Sequence, residues 1–370
     1  MNARTAGHTA MDVLWEPEST AIGWIQGLGD WAAVPLLAIT QLGSQFVLIP
    51  LVALVFWCVN PGLGARLFVA LTLSGVINYA GKAVFYGARP YWYSAQVTAY
   101  SSGSSFGMPS QHAQASTVFW GYLGLRSGRR LWAWTAVALI AAICLSRIYL
   151  GVHFFSDVLV GLLVGGVILW AALRWEDRIV AWWLGLGTAR WVGCALAVSV
   201  LPCLVAALWQ SLARGDWTVP AEWIGATPTD PAGHTLTSLF TVAGALLGGL
   251  VGFTLLAGRG WYSAEGSATS RAARFALGIS GIVVVQVVVH VVAGGLTGLA
   301  EAVVMFAAYA GVAFWAAFGA PEMFIRSGLA GRPGAGAPEV RGPAEEDGGD
   351  PGAGRPGGVP ADGTARDDGK

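Results

Sequence analysis

The chain has 370 residues, of which 55% are hydrophobic and only 11% charged, and its formal net charge is zero. A soluble protein of this length carries about twice that share of charge, so the composition excludes a soluble domain and points to an integral membrane protein. The neutral balance predicts no nucleic-acid partner.

In chain order, the first twenty residues hold Arg4, Asp12, Glu16 and Glu18 with no apolar run directly behind them, so no cleavable signal peptide is expected. Residues 20–43 set Trp24, Ile25, Leu28, Trp31, Val34 and Leu37 near helical spacing, with Gln26, Asp30 and Thr40 between them. That pattern suits a helix lying in the interface better than one crossing the bilayer, although a tenth span is left open. Apolar runs of about 20 residues can cross a bilayer. Spans are expected near 45–58, 64–86, 110–126, 131–148, 153–173, 191–210, 235–257, 275–296 and 298–319. The first is short and contains Pro50; the last two, parted by Gly294, Gly295 and Gly298, predict a tight hairpin. None alternates like a strand, so the fold class is all-α, a polytopic helix bundle, and not a barrel.

Many of the 18 tryptophans fall near the ends of these runs, at headgroup level. Cys58, Cys144, Cys194 and Cys203 have neither zinc-site nor CxxC spacing and read as buried structural thiols. From Gly331 to Lys370 the chain is Gly, Pro, Ala, Asp, Glu and Arg, which predicts a disordered tail. Arginine sets the orientation. Arg66, Arg126, Arg129, Arg130, Arg174, Arg178, Arg259, Arg271, Arg274, Arg326 and Arg332 fall on one side of this topology. Arg214 alone sits clearly on the other, and Arg190 lies at a boundary. The positive-inside rule then puts the tail in the cytoplasm and leaves 87–109, 147–153 and 211–234 extracytoplasmic.

Three clusters interrupt the apolar pattern, and polar groups at membrane depth call for a function. Lys82 lies inside a span, with Arg89 and Pro90 two helical turns on; that spacing predicts both cations on one helix face, ended by Pro90. The alternative is a pair of snorkelling cations. A Gly/Ser-rich loop leads into Pro109, Ser110, Gln111 and His112, with Pro109 suited to a first helical turn. A helix start there favours an anion; a simple Ser cap beside an interfacial histidine is the alternative. Finally Ser146-Arg147 precedes His153 and Asp157, which are four apart and are expected to stack on one helical face. A carboxylate on one ring nitrogen fixes the tautomer and makes the other a nucleophile. A plain interhelical ion pair is the competing reading.

The topology puts these clusters on one face, where three cations, fixed donors and two histidines suit a phosphoryl group. No carboxylate or His/Cys cluster suggests a metal, and no cofactor is expected. The pattern Lys-x6-Arg-Pro, Pro-Ser-x-His and Ser-Arg-x5-His-x3-Asp, present here between residues 82 and 161, resembles the type-2 phosphatidic acid phosphatase superfamily. The resemblance implies His153 as nucleophile, Asp157 as its orienting partner and His112 as general acid. It also implies that Lys82, Arg89, Ser110, Arg147 and the Gln111 backbone hold the phosphate. Gln111 stands where the family usually has Gly, a departure that bears on substrate choice.

The resemblance covers roughly 20–175 as a six-helix phosphatase core behind an N-terminal segment, 1–19. It leaves 176–325 as additional spans of unknown role and 326–370 as the tail. His234, His290 and Glu301 are the polar oddities of the additional region and read as structural. The expected activity is hydrolysis of a lipid phosphate monoester or polyprenyl (pyro)phosphate in the inner (plasma) membrane, with membrane lipids as surroundings and a homodimer left open. Phosphotransfer to an alcohol, or a non-catalytic transporter or scaffold, are the alternatives; a vanadium haloperoxidase is disfavoured by the spans.

Overall fold

A segment crossing lipid must satisfy its backbone polar groups internally. Every regular element among the described residues, 3–223 and 227–333 of the computed structural model, is accordingly helical. The expected disordered tail lies, beyond residue 333, outside the described residues, as does the side chain of His290. Helix α1 (Ala3–Gln26) is followed by α2 (Ala33–Gln41) and by α3 (Gln45–Leu54), which continues into a π turn at Val55–Val59. Helix α4 (Pro61–Phe85) starts on Asn60, whose side chain accepts from Leu63 N–H at 2.9 Å, with Pro61 in the first turn. A short α5 (Pro90–Tyr93) leads by a long loop to α6 (Gln111–Arg126), α7 (Arg130–Tyr149) and the long α8 (Phe155–Leu184). Then come α9 (Thr188–Ala213), α10 (Pro231–Gly258), α11 (Ala268–Ala293), α12 (Gly298–Phe314) and α13 (Ala320–Arg326).

Among the described residues eight stretches are long and apolar enough to cross a membrane: Asp30–Val59, Pro61–Tyr93, Arg130–Tyr149, Phe155–Leu184, Thr188–Ala213, Pro231–Gly258, Ala268–Val289 and Gly298–Arg326. Two boundaries differ from expectation. Residues 20–43 do not make one interfacial helix: α1 ends at Gln26, and Asp30 onward joins α3 in a single span-length run. The expected span 110–126 is a helix of 16 residues, and it is absent from that set. Its polar residues sit inside the bundle, where α6 packs against α4, α7 and α8. Large apolar side chains elsewhere point outward, among them Phe46, Leu131 and Leu212 at 79%, 73% and 82% exposure, as a lipid-facing belt requires.

The arginine-rich ends are tied by acids. Glu176, buried, pairs with Arg126 and accepts from Tyr122 Oη at 2.5 Å, while Arg66 Nη2 meets Asp177 at 2.6 Å. Arg259 and Arg332 bracket Glu322 at 3.1 and 3.2 Å. The four cysteines are free thiols. Helix α10 packs along α12 and also against α4, the helix that carries Lys82, so α9–α13 share one compact unit with the rest.

Candidate active site

Helix α4 stops at Phe85 because Tyr86 turns left-handed, with φ of 55°. Arg89 therefore does not share a helix with Lys82 as the spacing predicted, and Pro90 starts α5 instead of ending α4. The two cations meet by another route: both donate to backbone carbonyls of the loop at 105–107. Lys82 Nζ donates to Phe106 O and, at 2.9 Å, to Gly107 O. Arg89 Nε donates to Ser105 O at 2.8 Å, and its Nη2 approaches Phe106 O at 3.4 Å. Arg89 Nη1 donates to Val152 O at 3.0 Å and lies 3.5 Å from His153 Nε2.

The loop closes on Ser110, the N-cap of α6, whose side chain accepts from Ala113 N–H at 3.5 Å. Pro109 precedes that cap and so stands two residues before the first helical residue, outside the first turn that was expected. Gln111 and His112 follow as the first helical residues, with N–H groups that the helix itself cannot satisfy. The Gln111 amide turns toward α4, its Nε2 3.7 Å from where a Cβ on Gly75 would stand. Behind the cap, Gln114 accepts from Asn78 Nδ2 at 2.8 Å and donates to Ser74 O at 2.7 Å, while Asn78 also reaches Pro109 O at 3.3 Å.

His153 lies just before α8 and not within it, so the predicted helical stacking on Asp157 is replaced by a cap. Asp157 turns back from the first turn of α8, and its Oδ2 accepts from His153 Nδ1 at 3.2 Å and from Phe154 N–H at 3.1 Å. The carbonyl of Asp157 accepts from Ser110 N–H at 3.0 Å, which locks the two histidine-bearing turns together. The helices meet closely: a Cβ on Gly161 would stand 2.7 Å from Ser110 O. Likewise a Cβ on Gly107 would stand 2.3 Å from Ala88 O and 3.0 Å from Asp157 Oδ2, so only glycine fits there. Arg147 enters from the end of α7, its Nη1 donating to Thr40 Oγ1 at 2.9 Å; its buried Nε has no partner among the described residues.

All these groups are buried: Lys82, Arg89, Arg147, His153, Ser110 and Asp157 are each 5% exposed or less. Burial first, then the charges of Arg89, Lys82, Arg147 and His112, pushes His153 well below the ordinary histidine range. Its Nδ1 faces a carboxylate, so Nδ1 carries the proton and Nε2 keeps a lone pair directed at the cation cluster. Among the described residues no group of three or more His, Cys, Asp or Glu side chains could hold a metal ion.

The structure thus brings together Lys82, Arg89, Ser110, Gln111, His112, Arg147, His153 and Asp157. His234 is exposed and Glu301 half-buried, both in the other half of the chain. The sequence reading missed the carbonyls of Phe106 and Gly107, which no side-chain pattern encodes. It also missed Thr40 and Glu18; Glu18 accepts from Ser156 N–H at 3.2 Å and Ser156 Oγ at 3.1 Å, capping α8 from α1. One signal for Asn78 was available, since it lies one turn before Lys82 on an apolar helix.

Two family models match the chain: "PAP2 superfamily" over residues 63–181, and "PAP2 superfamily phosphatase, transmembrane extension" over 240–332. Among curated proteins, sphingosine-1-phosphate phosphatase 2 of Mus musculus is 29% identical over 168 residues, 44% of this chain and 47% of the relative. The putative undecaprenyl-diphosphatase YbjG of Escherichia coli is 27% identical over 160 residues, 40% of this chain and 80% of the relative. Human glucose-6-phosphatase 2 is 24% identical over 212 residues, 47% of this chain and 59% of the relative. The chain thus spans about half the length of the mouse protein and most of the bacterial one. A solved structure, a transmembrane PAP2-type phosphatidylglycerolphosphate phosphatase from Bacillus subtilis, aligns with a TM-score of 0.39 at 22% identity, covering 46% of this chain and 88% of that one.

Proposed function

This chain belongs to the PAP2 superfamily, and we propose that it is an integral membrane phosphatase that hydrolyses a lipid phosphate monoester or pyrophosphate through a phosphohistidine. The observation that carries this reading is a buried charge imbalance. Lys82, Arg89 and Arg147 face one carboxylate, Asp157, which leaves an excess of two positive charges in a site shielded from water. Burying unmatched charge is costly, and a phosphate monoester, with a charge of about −1.5 to −2 at neutral pH, is the anion that balances it.

In this mechanism His153 Nε2 attacks phosphorus with its lone pair, opposite the leaving oxygen. The P–O bond to the lipid breaks as His112 gives that oxygen a proton. The three cations and the first-turn N–H groups of α6 hold the equatorial oxygens as charge builds on them. Water then attacks the phosphohistidine, His112 takes its proton, the P–N bond breaks, and phosphate leaves with His153 restored. Asp157 stays ionised and stabilises the imidazolium character that develops. No step calls on a metal.

The substrate class follows from the place of the site, at the ends of spans where an amphiphile's headgroup lies, and from relatives named for sphingosine-1-phosphate and undecaprenyl diphosphate. The arginine distribution argues for an extracytoplasmic site. Phosphate release from a panel of lipid phosphates, with and without EDTA, compared between wild type and His153→Ala, tests the proposal. Metal-independent release that vanishes in the variant is expected. Folded wild-type protein that releases phosphate from none of them would overturn it.

A further inference from the structure

Trp217 and Trp223, in the connection after α9, lie outside the matched phosphatase segment, yet Trp217 packs on the loop that carries the cation-binding carbonyls. The Trp217 ring meets Phe106 edge-on at 5.4 Å and Tyr86 at 5.1 Å. Trp223, buried, lies 5.8 Å from Trp92, and the Arg89 guanidinium sits 5.6 Å from the centroid of the same Trp92 ring. At the start of α10, Thr235 Oγ1 accepts from Phe106 N–H at 3.4 Å while donating to Pro231 O at 2.8 Å. Phe106 is fully buried and held at three points: Trp217 on its ring, Thr235 on its N–H, and Lys82 and Arg89 on its carbonyl.

We propose that the C-terminal membrane region has a function of its own in the reaction: through Trp217, Trp223 and Thr235 it acts as a positioning element that holds the Phe106 peptide and so fixes Lys82 and Arg89 for phosphate. The physical argument is one of precision. A lysine and an arginine are long, rotamer-rich side chains, and electrostatic stabilisation of a transition state depends on their being held before the charge develops. In the site, carbonyls at 105–107 do that holding, and a loop of Gly and Ser residues cannot keep those carbonyls still by itself. Trp217, Trp223 and Thr235 supply the missing wall.

The proposal rests on the phosphatase reading for its kinetic measurement only; its binding measurement uses orthovanadate and inorganic phosphate and needs no turnover. Full-length Trp217→Ala, Trp217→Phe, Thr235→Val and Trp315→Ala are compared in detergent. Trp315 is a control of similar size in a different apolar cluster, where its Nε1 donates to Gly278 O at 3.1 Å. Anion affinity is read from the ligand-dependent rise in unfolding temperature. Trp217→Ala and Thr235→Val are expected to weaken vanadate binding by about tenfold, the upper end of what one aromatic contact contributes. They should lower kcat on a small aryl phosphate by more than they raise KM. Trp217→Phe should restore most of both. Trp315→Ala should lower the unfolding temperature while leaving vanadate affinity within about twofold. Unchanged vanadate affinity in Trp217→Ala, or an equal loss in Trp315→Ala, overturns the positioning role. Wild type that binds vanadate yet releases no phosphate refutes the phosphatase reading alone, and the positioning role is then judged on affinity.

Discussion

Asp157→Asn separates the orienting role of this carboxylate from its charge. In the wild type one oxygen, Oδ2, accepts from His153 Nδ1 at 3.2 Å and from Phe154 N–H at 3.1 Å. An asparagine in the same rotamer sets its single amide oxygen in the place of Oδ2, where it accepts from both, and its NH2 in the place of Oδ1, which has no partner among the described residues. The ring therefore keeps its orientation and its Nδ1 proton, and what is removed is the negative charge. Positive character that develops on the imidazole as Nε2 attacks is then no longer stabilised. Removing one preorganised electrostatic partner from a buried site costs about 10²–10³ in kcat, and a fall of that size is expected here. Anion binding should move the other way. The variant leaves Lys82, Arg89 and Arg147 with no carboxylate among them, so vanadate should bind as tightly as in wild type or tighter. Steady-state kinetics, vanadate titration and alkali-quenched labelling of His153 measure turnover, anion affinity and phosphohistidine on one preparation. A loss in kcat under about tenfold, or a loss of vanadate affinity that matches the loss in kcat, would refute the argument from charge.

Three further outcomes follow. Gly107→Ala forces a Cβ to within 2.3 Å of Ala88 O and 3.0 Å of Asp157 Oδ2, both of them tightly held; a loss of about 1–3 kcal/mol in stability with near-complete loss of turnover is expected, and wild-type kinetics would show that the loop can move aside. His153, held below its ordinary value of about 6.5, stays unprotonated in the folded state as pH falls, while the unfolded chain takes up a proton. Its contribution to stability is therefore present above pH ~6.5 and is lost as pH drops below that, so unfolding temperature should depend less on pH between 5 and 7 in His153→Gln; an identical slope refutes this. Glu176→Gln leaves Arg126 and Arg66 without their buried partner and should cost about 3 kcal/mol, with kcat unchanged because the cluster lies apart from the histidines. A fall in kcat without a fall in unfolding temperature would contradict that.

The residue types and order of the site were legible because ionisable groups at membrane depth stand out against an apolar chain. Lys82 is conspicuous in this way, as are His112 and His153 next to loops. Their geometry was less legible. Periodicity put Lys82 and Arg89 on one helix, but the left-handed Tyr86 ends that helix four residues early, and no spacing rule announces it. The same rule stacked His153 on Asp157 within a helix, whereas helix α8 starts after His153 and the contact is a cap. Backbone acceptors such as Phe106 O carry no side-chain signature. The placement of Trp217 and Trp223 was invisible for a different reason: they look like two more interfacial tryptophans until the fold sets them against Phe106 and Trp92.

Helix α6 has a consequence for how the protein is made. It presents Gln111, His112, Gln114, Ser116 and Thr117 within its first turns, and Gln114, Ser116 and Thr117 are all buried against neighbouring helices. A segment of 16 residues with that many polar groups gains too little from hydrocarbon to leave the insertion machinery by itself. It must wait for company: α4 behind it in the chain, then α7 and α8, whose synthesis comes later. Membrane integration of the helix that carries His112 is thereby coupled to completion of the helix that carries Asp157, so the nascent chain assembles the candidate site only once the whole helical cage can close around it.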